Sequence, residues 1–151
     1  MKKMTFALCF CNRGFMPGEL IYGAREDMIS AVTDAGYDYI AMDAQATRFG
    51  GVETRDEGYL YAKWLKEQEG NYDGVIFSMP IFADENGAIT ALQDAGVPIL
   101  MQAYPDELHQ LDFQHRRDAY CGKFSVTDVF TQYGVPFTAL KPHVVHPLSE
   151  A

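Results

Sequence analysis

Two short apolar runs with a helical stretch between them constrain this chain more than any other feature. The first is Gly74-Val75-Ile76-Phe77 and the second is Val97-Pro98-Ile99-Leu100-Met101. Both are apolar almost throughout, as in strands that are covered on both faces. Between them, Asp84-Glu85 puts carboxylates where a helix dipole favours them, and Ile89 and Leu92 keep helical spacing. Gly96-Val97-Pro98 then ends the helix. Strand, helix, strand over residues 72–103 is a βαβ unit, whose crossover makes its two strands parallel neighbours. Ligands bind such open sheets beyond the carboxyl ends of the strands. Residues 79–86 and 102–105 are therefore the first places to look for function.

The rest of the chain repeats the unit. Residues 4–11 (MTFALCFC) read as a first strand, followed by a long loop over 12–23. Met28, Ala31, Val32 and Ala35 sit at helical spacing, which predicts a helix over 24–35 with Gly36 as its C-terminal cap. A second strand follows over 37–42, then a second long loop. Thr54-x-x-Glu57 has capping-box spacing and starts a helix running to about residue 69. After the central unit, residues 104–120 are polar and expected to be partly helical. A helix over 123–133 and a fifth strand over 135–140 complete the pattern. The expected fold is a three-layer α/β domain over 1–140, with a doubly wound, mostly parallel sheet of Rossmann-like or flavodoxin-like type. Residues 141–151, with two prolines and no period, read as a linker.

Composition narrows the function. A net charge of −9 argues against nucleic acid or an anionic membrane as partner. No run approaches the roughly 20 apolar residues of a membrane span. The start, Met1-Lys2-Lys3 before an apolar stretch, resembles a signal peptide only superficially, because the stretch is short and runs into Asn12-Arg13. Cysteine usage points to the cytoplasm. There are three cysteines, and Cys9 and Cys11 alternate across one strand, so a disulfide framework is not expected.

Familiar chemical signatures are missing. Neither Gly-x-Gly-x-x-Gly nor a Gly-Lys-Ser/Thr phosphate loop follows the first strand, which also weighs against a flavin or dinucleotide site. Ser78-Met79 stands where a phosphoacceptor domain needs a carboxylate. His143-x-x-His146 lies between Pro142 and Pro147, and extended chain would point those two rings apart. Cys121-Gly122-Lys123 is expected at a helix entry as a packed thiol. No catalytic or metal-ligating residue is assigned.

A polar rim remains at the strand ends. It comprises Asn12 and Arg13, Asp43 and Gln45, Asp84 and Glu85, and Gln102 and Tyr104, with Phe15 or Phe82 to offer a ring face. Such a rim can hydrogen-bond the hydroxyls of a polyol. Arg13 is the most informative member, because its fork can hold two oxygens at once.

Several stretches together resemble the N-terminal part of the L-fucose isomerase/L-arabinose isomerase family of ketol isomerases. They include the arginine after the first strand, the loop Phe49-Gly50-Gly51-Val52-Glu53-Thr54-Arg55-Asp56-Glu57 and the strand Asp73-Gly74-Val75-Ile76. The most specific are Arg117-Asp118-Ala119-Tyr120-Cys121-Gly122-Lys123-Phe124-Ser125-Val126 and Gln132-Tyr133-Gly134-Val135-Pro136-Phe137-Thr138. The resemblance implies a substrate-recognition domain that works inside a homo-oligomer. It places Arg13 and, approximately, Phe82 on the sugar, with Asn12 and Gln102 as further candidates from the rim. It implies a divalent metal, Mn²⁺, for the full-length enzyme, held by residues outside this chain. The linker would lead toward that following part, and the chain alone would be inactive. An alternative from the same strand motifs is one lobe of a periplasmic-type sugar-binding or sugar-sensing protein.

Overall fold

The computed structural model describes residues 3–149. The Met1-Lys2 start and the last two positions of the expected linker lie outside the described residues. Nine elements alternate along the described residues. They are β1 (Thr5–Phe10), α1 (Leu20–Asp34), β2 (Asp38–Ala41), α2 (Arg55–Glu67), β3 (Gly74–Met79), α3 (Glu85–Leu92), β4 (Ile99–Ala103), α4 (Ala119–Gln132) and β5 (Thr138–Ala139). The strands form one parallel sheet in the order β2-β1-β3-β4-β5. The expected doubly wound α/β fold is what the chain adopts.

The apolar runs explain the centre of this order. All six residues of β3 are buried, and β3 lies between β1 and β4. One face of the sheet packs on α2, α3 and α4 through a core that includes Cys9, Phe77, Met101, Tyr61, Leu92 and Phe130. The other face packs on α1, whose Ile21, Met28 and Val32 meet Leu8, Phe10 and Ile76. At the edges the strands are short. β2 exposes Asp38, which pairs with Lys3 at 2.6 Å, and both residues of β5 are exposed.

Several boundaries differ from the sequence reading, each for a physical reason. α1 starts at Leu20 rather than residue 24, because turns at Pro17 and Gly18 feed directly into it and Ile21 is fully buried. α4 starts at Ala119 rather than residue 123, so Cys121 is an exposed residue inside a helix instead of a packed thiol at a helix entry. Residues 104–118 form turns and no helix. β5 is confined to two residues, since Val135 caps α4 by donating to the Phe130 carbonyl at 2.9 Å.

Residues 140–149 lie against the domain. The Leu140 amide donates to the Met101 carbonyl at 3.0 Å, and the Val145 amide to the Ala103 carbonyl at 2.8 Å. Lys123, buried in α4, donates from Nζ to the carbonyls of Leu140 at 2.9 Å and His143 at 2.6 Å. Val145 covers the α1 side of the sheet and is itself buried.

Candidate functional site

In the order β2-β1-β3-β4-β5 the chain winds outward in both directions from the boundary between β1 and β3. That reversal opens a crevice at the carboxyl ends of the two strands, where doubly wound proteins bind their ligands. The residues that follow β1 and β3 are Asn12-Arg13 and the segment from Pro80 to Glu85. The backbone ties the two ends together. The Cys11 amide donates to the Ser78 carbonyl at 3.2 Å, and the Asp84 amide to the Asn12 carbonyl at 3.0 Å.

Arg13 lies toward α3 and α4. Its Nη2 donates to Glu85 Oε2, and the other carboxylate oxygen of Glu85 accepts from the Ser125 hydroxyl on α4. The guanidinium carbon stands 4.4 Å from the centre of the Phe82 ring. Asp84 starts α3 as its N-cap, with Oδ1 accepting from the Gly87 amide at 2.7 Å, and so sets the direction in which Glu85 leaves the helix. Both members of the ion pair are about a quarter exposed, at 26% and 23%. The Arg13 Nε–H is buried and has no partner. Burial alone would push the Glu85 carboxyl up. The Ser125 hydroxyl, a backbone amide and the Arg13 charge outweigh it and hold the group below the usual carboxylate value.

Asn12 faces the opposite side of the β1 end. The second loop returns there, and Val52 bridges Cys11 in parallel, with the Val52 amide donating to Phe10 at 2.8 Å and the Asn12 amide to Val52 at 2.9 Å. This register sets Asn12 and Glu53 side by side on the α1 side of the sheet. Asn12 is fully buried, and neither atom of its side-chain amide has a partner. Gly18 closes over it so tightly that a Cβ there would meet the Phe49 ring and lie 2.8 Å from Asn12 Nδ2. Glu53 is 8% exposed, and its Oε1 pairs with Arg48 Nη1 at 3.3 Å. Burial pushes its carboxyl above the usual value, against the pull of Arg48.

The rim foreseen in the sequence is thus brought together only in part. Arg13, Phe82, Asp84 and Glu85 converge at the crevice, while Asn12 is buried on the other side of the β1 end. Asp43 and Gln45 do not, since Asp43 Oδ1 accepts from the Gln45 amide at 2.8 Å within an exposed turn. Gln102 is turned inward. Its Oε1 accepts from Ser78 Oγ at 2.6 Å, and its Nε2 donates to the Val145 carbonyl at 2.7 Å, which leaves it buried and fully bonded. Tyr104 is also buried, its hydroxyl donating to Asp27 at 3.2 Å. Ser125 and Glu53 went unforeseen as site residues. Ser125 reaches Glu85 from 40 residues away in sequence, and nothing local marks it. Glu53 had one signal, the glycine pair before it, since Gly51 lets the loop lie against the Phe10 carbonyl. Two further clefts lie elsewhere. One runs beside Gly96, Val97 and Pro98 at the amino end of β4, and the other lies between α2 and the end of α3, both away from the crevice.

Residues 7–151 match the family model described as "Fucose/sulfoquinovose isomerase, N-terminal domain". The chain belongs to that family. No curated protein matches it. Among solved structures, a homoserine dehydrogenase of S. aureus at pH 7.0 is similar at 15% identity and a TM-score of 0.31, over 92% of this chain and 33% of that one. The same enzyme at pH 6.0 gives 13% identity and a TM-score of 0.32 over the same shares. The chain spans about a third of the length of those structures.

Among the described residues the metal implied by the resemblance finds no fitting ligands. Among the described residues no group of three or more His, Cys, Asp or Glu is arranged to hold one. The two closely spaced histidines diverge. His143 stacks on Phe124 at 4.4 Å and lies 4.6 Å from Tyr120, while His146 packs edge-on against Tyr104 and stands 3.4 Å from Asp27. Among the described residues no helix is long and apolar enough to cross a membrane.

Proposed function

We propose that this chain is the substrate-recognition domain of a metal-dependent aldose–ketose isomerase of carbohydrate metabolism. The supporting observation is the strand-end constellation at the point where the sheet reverses. Arg13 offers donors from a guanidinium fixed by Glu85 and held against the Phe82 ring. A polyol supplies what this group lacks, namely oxygens to accept from Arg13. The catalytic groups and the Mn²⁺ ligands belong to other parts of the full-length enzyme. In that assembly this domain works as part of a cytoplasmic homo-oligomer. The free cysteines fit a reducing compartment, and exposed Phe15, Leu111 and Phe113 near the crevice fit a surface that another chain covers. A lobe of a sugar-binding protein would use the same crevice, and the family match is the reason to prefer the isomerase.

The test is a titration of the 151-residue chain with L-fucose, L-arabinose and their alditols, followed by amide chemical shifts. Shifts are expected at Asn12, Arg13 and Phe82, and Arg13→Ala should weaken binding at least about tenfold, the loss of one charge-assisted contact. The chain alone with Mn²⁺ should turn over no aldose. Absence of any binding, or measurable turnover, would overturn the reading.

A further inference from the structure

Every guanidinium at the strand ends is already committed. Arg13 is paired with Glu85 and Arg48 with Glu53. Arg117 donates to the Pro80 carbonyl at 2.9 Å and lies over the Tyr104 ring. Around the crevice, Asp84 and Glu85 supply two carboxylates. An anionic ligand would therefore meet a cation already neutralised by Glu85. A neutral hydroxyl would meet something different: a guanidinium with one edge held by Glu85 and with donors to spare.

We propose that Glu85 is a positioning and specificity-determining residue: braced by Ser125, it holds Arg13 over Phe82 and cancels its charge, so that the crevice takes uncharged vicinal hydroxyls and rejects sugars bearing sulfonate, phosphate or carboxylate. This rests on the recognition role proposed above. The family description covers both a neutral sugar and a sulfonated one, and the pairing assigns this member to the neutral branch. Two features make Glu85 more than a passing surface partner. Its two oxygens are used by two different elements, β1's end and α4, which fixes the carboxylate in place. The pair is also three-quarters shielded from solvent, where a charge interaction is far less screened than on the surface.

The experiment compares L-fucose with a matched pair, quinovose (6-deoxyglucose) and sulfoquinovose, which differ by the sulfonate. Each is titrated into the chain and into Glu85→Gln, Glu85→Asp and Ser125→Ala. Wild type should bind a neutral sugar and bind sulfoquinovose at least about tenfold more weakly than quinovose. Glu85→Gln should weaken the neutral sugars and shift the quinovose-to-sulfoquinovose ratio toward the anion by about tenfold, because it frees the Arg13 charge. Glu85→Asp should restore the wild-type preference. Ser125→Ala keeps the charge, so it should weaken the neutral sugars and leave the ratio alone. Tighter binding of sulfoquinovose by wild type would overturn the proposal even if Glu85→Gln failed to fold. So would Glu85→Gln lowering both sugars equally, which is what a merely structural residue would do. If wild type binds none of the three sugars, the recognition role falls and takes this proposal with it.

Discussion

Glu53 and Glu85 stand on opposite sides of the β1 end, and their surroundings drive them in opposite directions. Glu85 titrates below its usual value near 4.5, so its contribution to stability is complete above that value and is lost as pH falls through the lowered one. Glu53 titrates above its usual value, so the folded chain holds more protons than the unfolded chain in the window just above 4.5. Stability on its account falls as pH rises through that window. Melting curves between about pH 3 and pH 7 should separate the two. Glu53→Gln should flatten the loss above 4.5, and Glu85→Gln should flatten the loss below it. Sequence alone marked Asn12, Arg13 and Glu85, because they directly follow buried strands or open a helix. It could not mark the contacts that give them meaning. Ser125 lies far along the chain, and Glu53 is brought back beside Asn12 only by the bridge from Val52 to Cys11.

At the scale of elements, the starts of α2 and α3 were legible because their caps are local chemistry. Thr54 Oγ1 accepts from the Glu57 amide at 3.2 Å, and Glu57 Oε2 accepts in return from the Glu53 amide at 2.7 Å. Thr54→Ala should cost about 1 kcal/mol in chemical unfolding. The start of α1 was hidden by Gly23, which looks like a loop residue but faces open space on the outside of the helix. The approach of α2 to α3 could not be read from either helix alone. Gly58 meets Gly87 across the contact, and a Cβ on Gly58 would stand 2.6 Å from the Gly87 carbonyl oxygen. Because that obstacle is backbone, Gly58→Ala should destabilise by about 1–3 kcal/mol, although alanine is the better helix former. The same measurement on Gly23→Ala should show no loss, and so serves as the control.

At the scale of the whole molecule, the order of the strands follows from the crossover rule and the burial of β3, and so does the position of the crevice. The covering of the sheet does not. Three helices cover one face, and α1 shares the other with residues 140–149, a segment without period. Its hold is made of specific bonds. Val145 accepts from Gln102, Lys123 donates to Leu140 and His143, and His146 stands beside Asp27 of α1. Burial pushes the Lys123 ammonium below its usual value, so its two carbonyl partners matter to the fold. Lys123→Met keeps the bulk and removes both bonds. It should cost about 1–3 kcal/mol and raise hydrogen exchange at the Val145 amide.

The lateness of this closing segment has a consequence for synthesis. A chain emerging from the ribosome can form β1 through β4 and dock all four helices, but the Gln102 amide keeps facing solvent or a chance partner until Val145 has left the exit tunnel. The sheet is then nearly complete, with one polar group and one apolar face still waiting. A domain built in this order is most exposed to misassembly until residues 140–149 have docked.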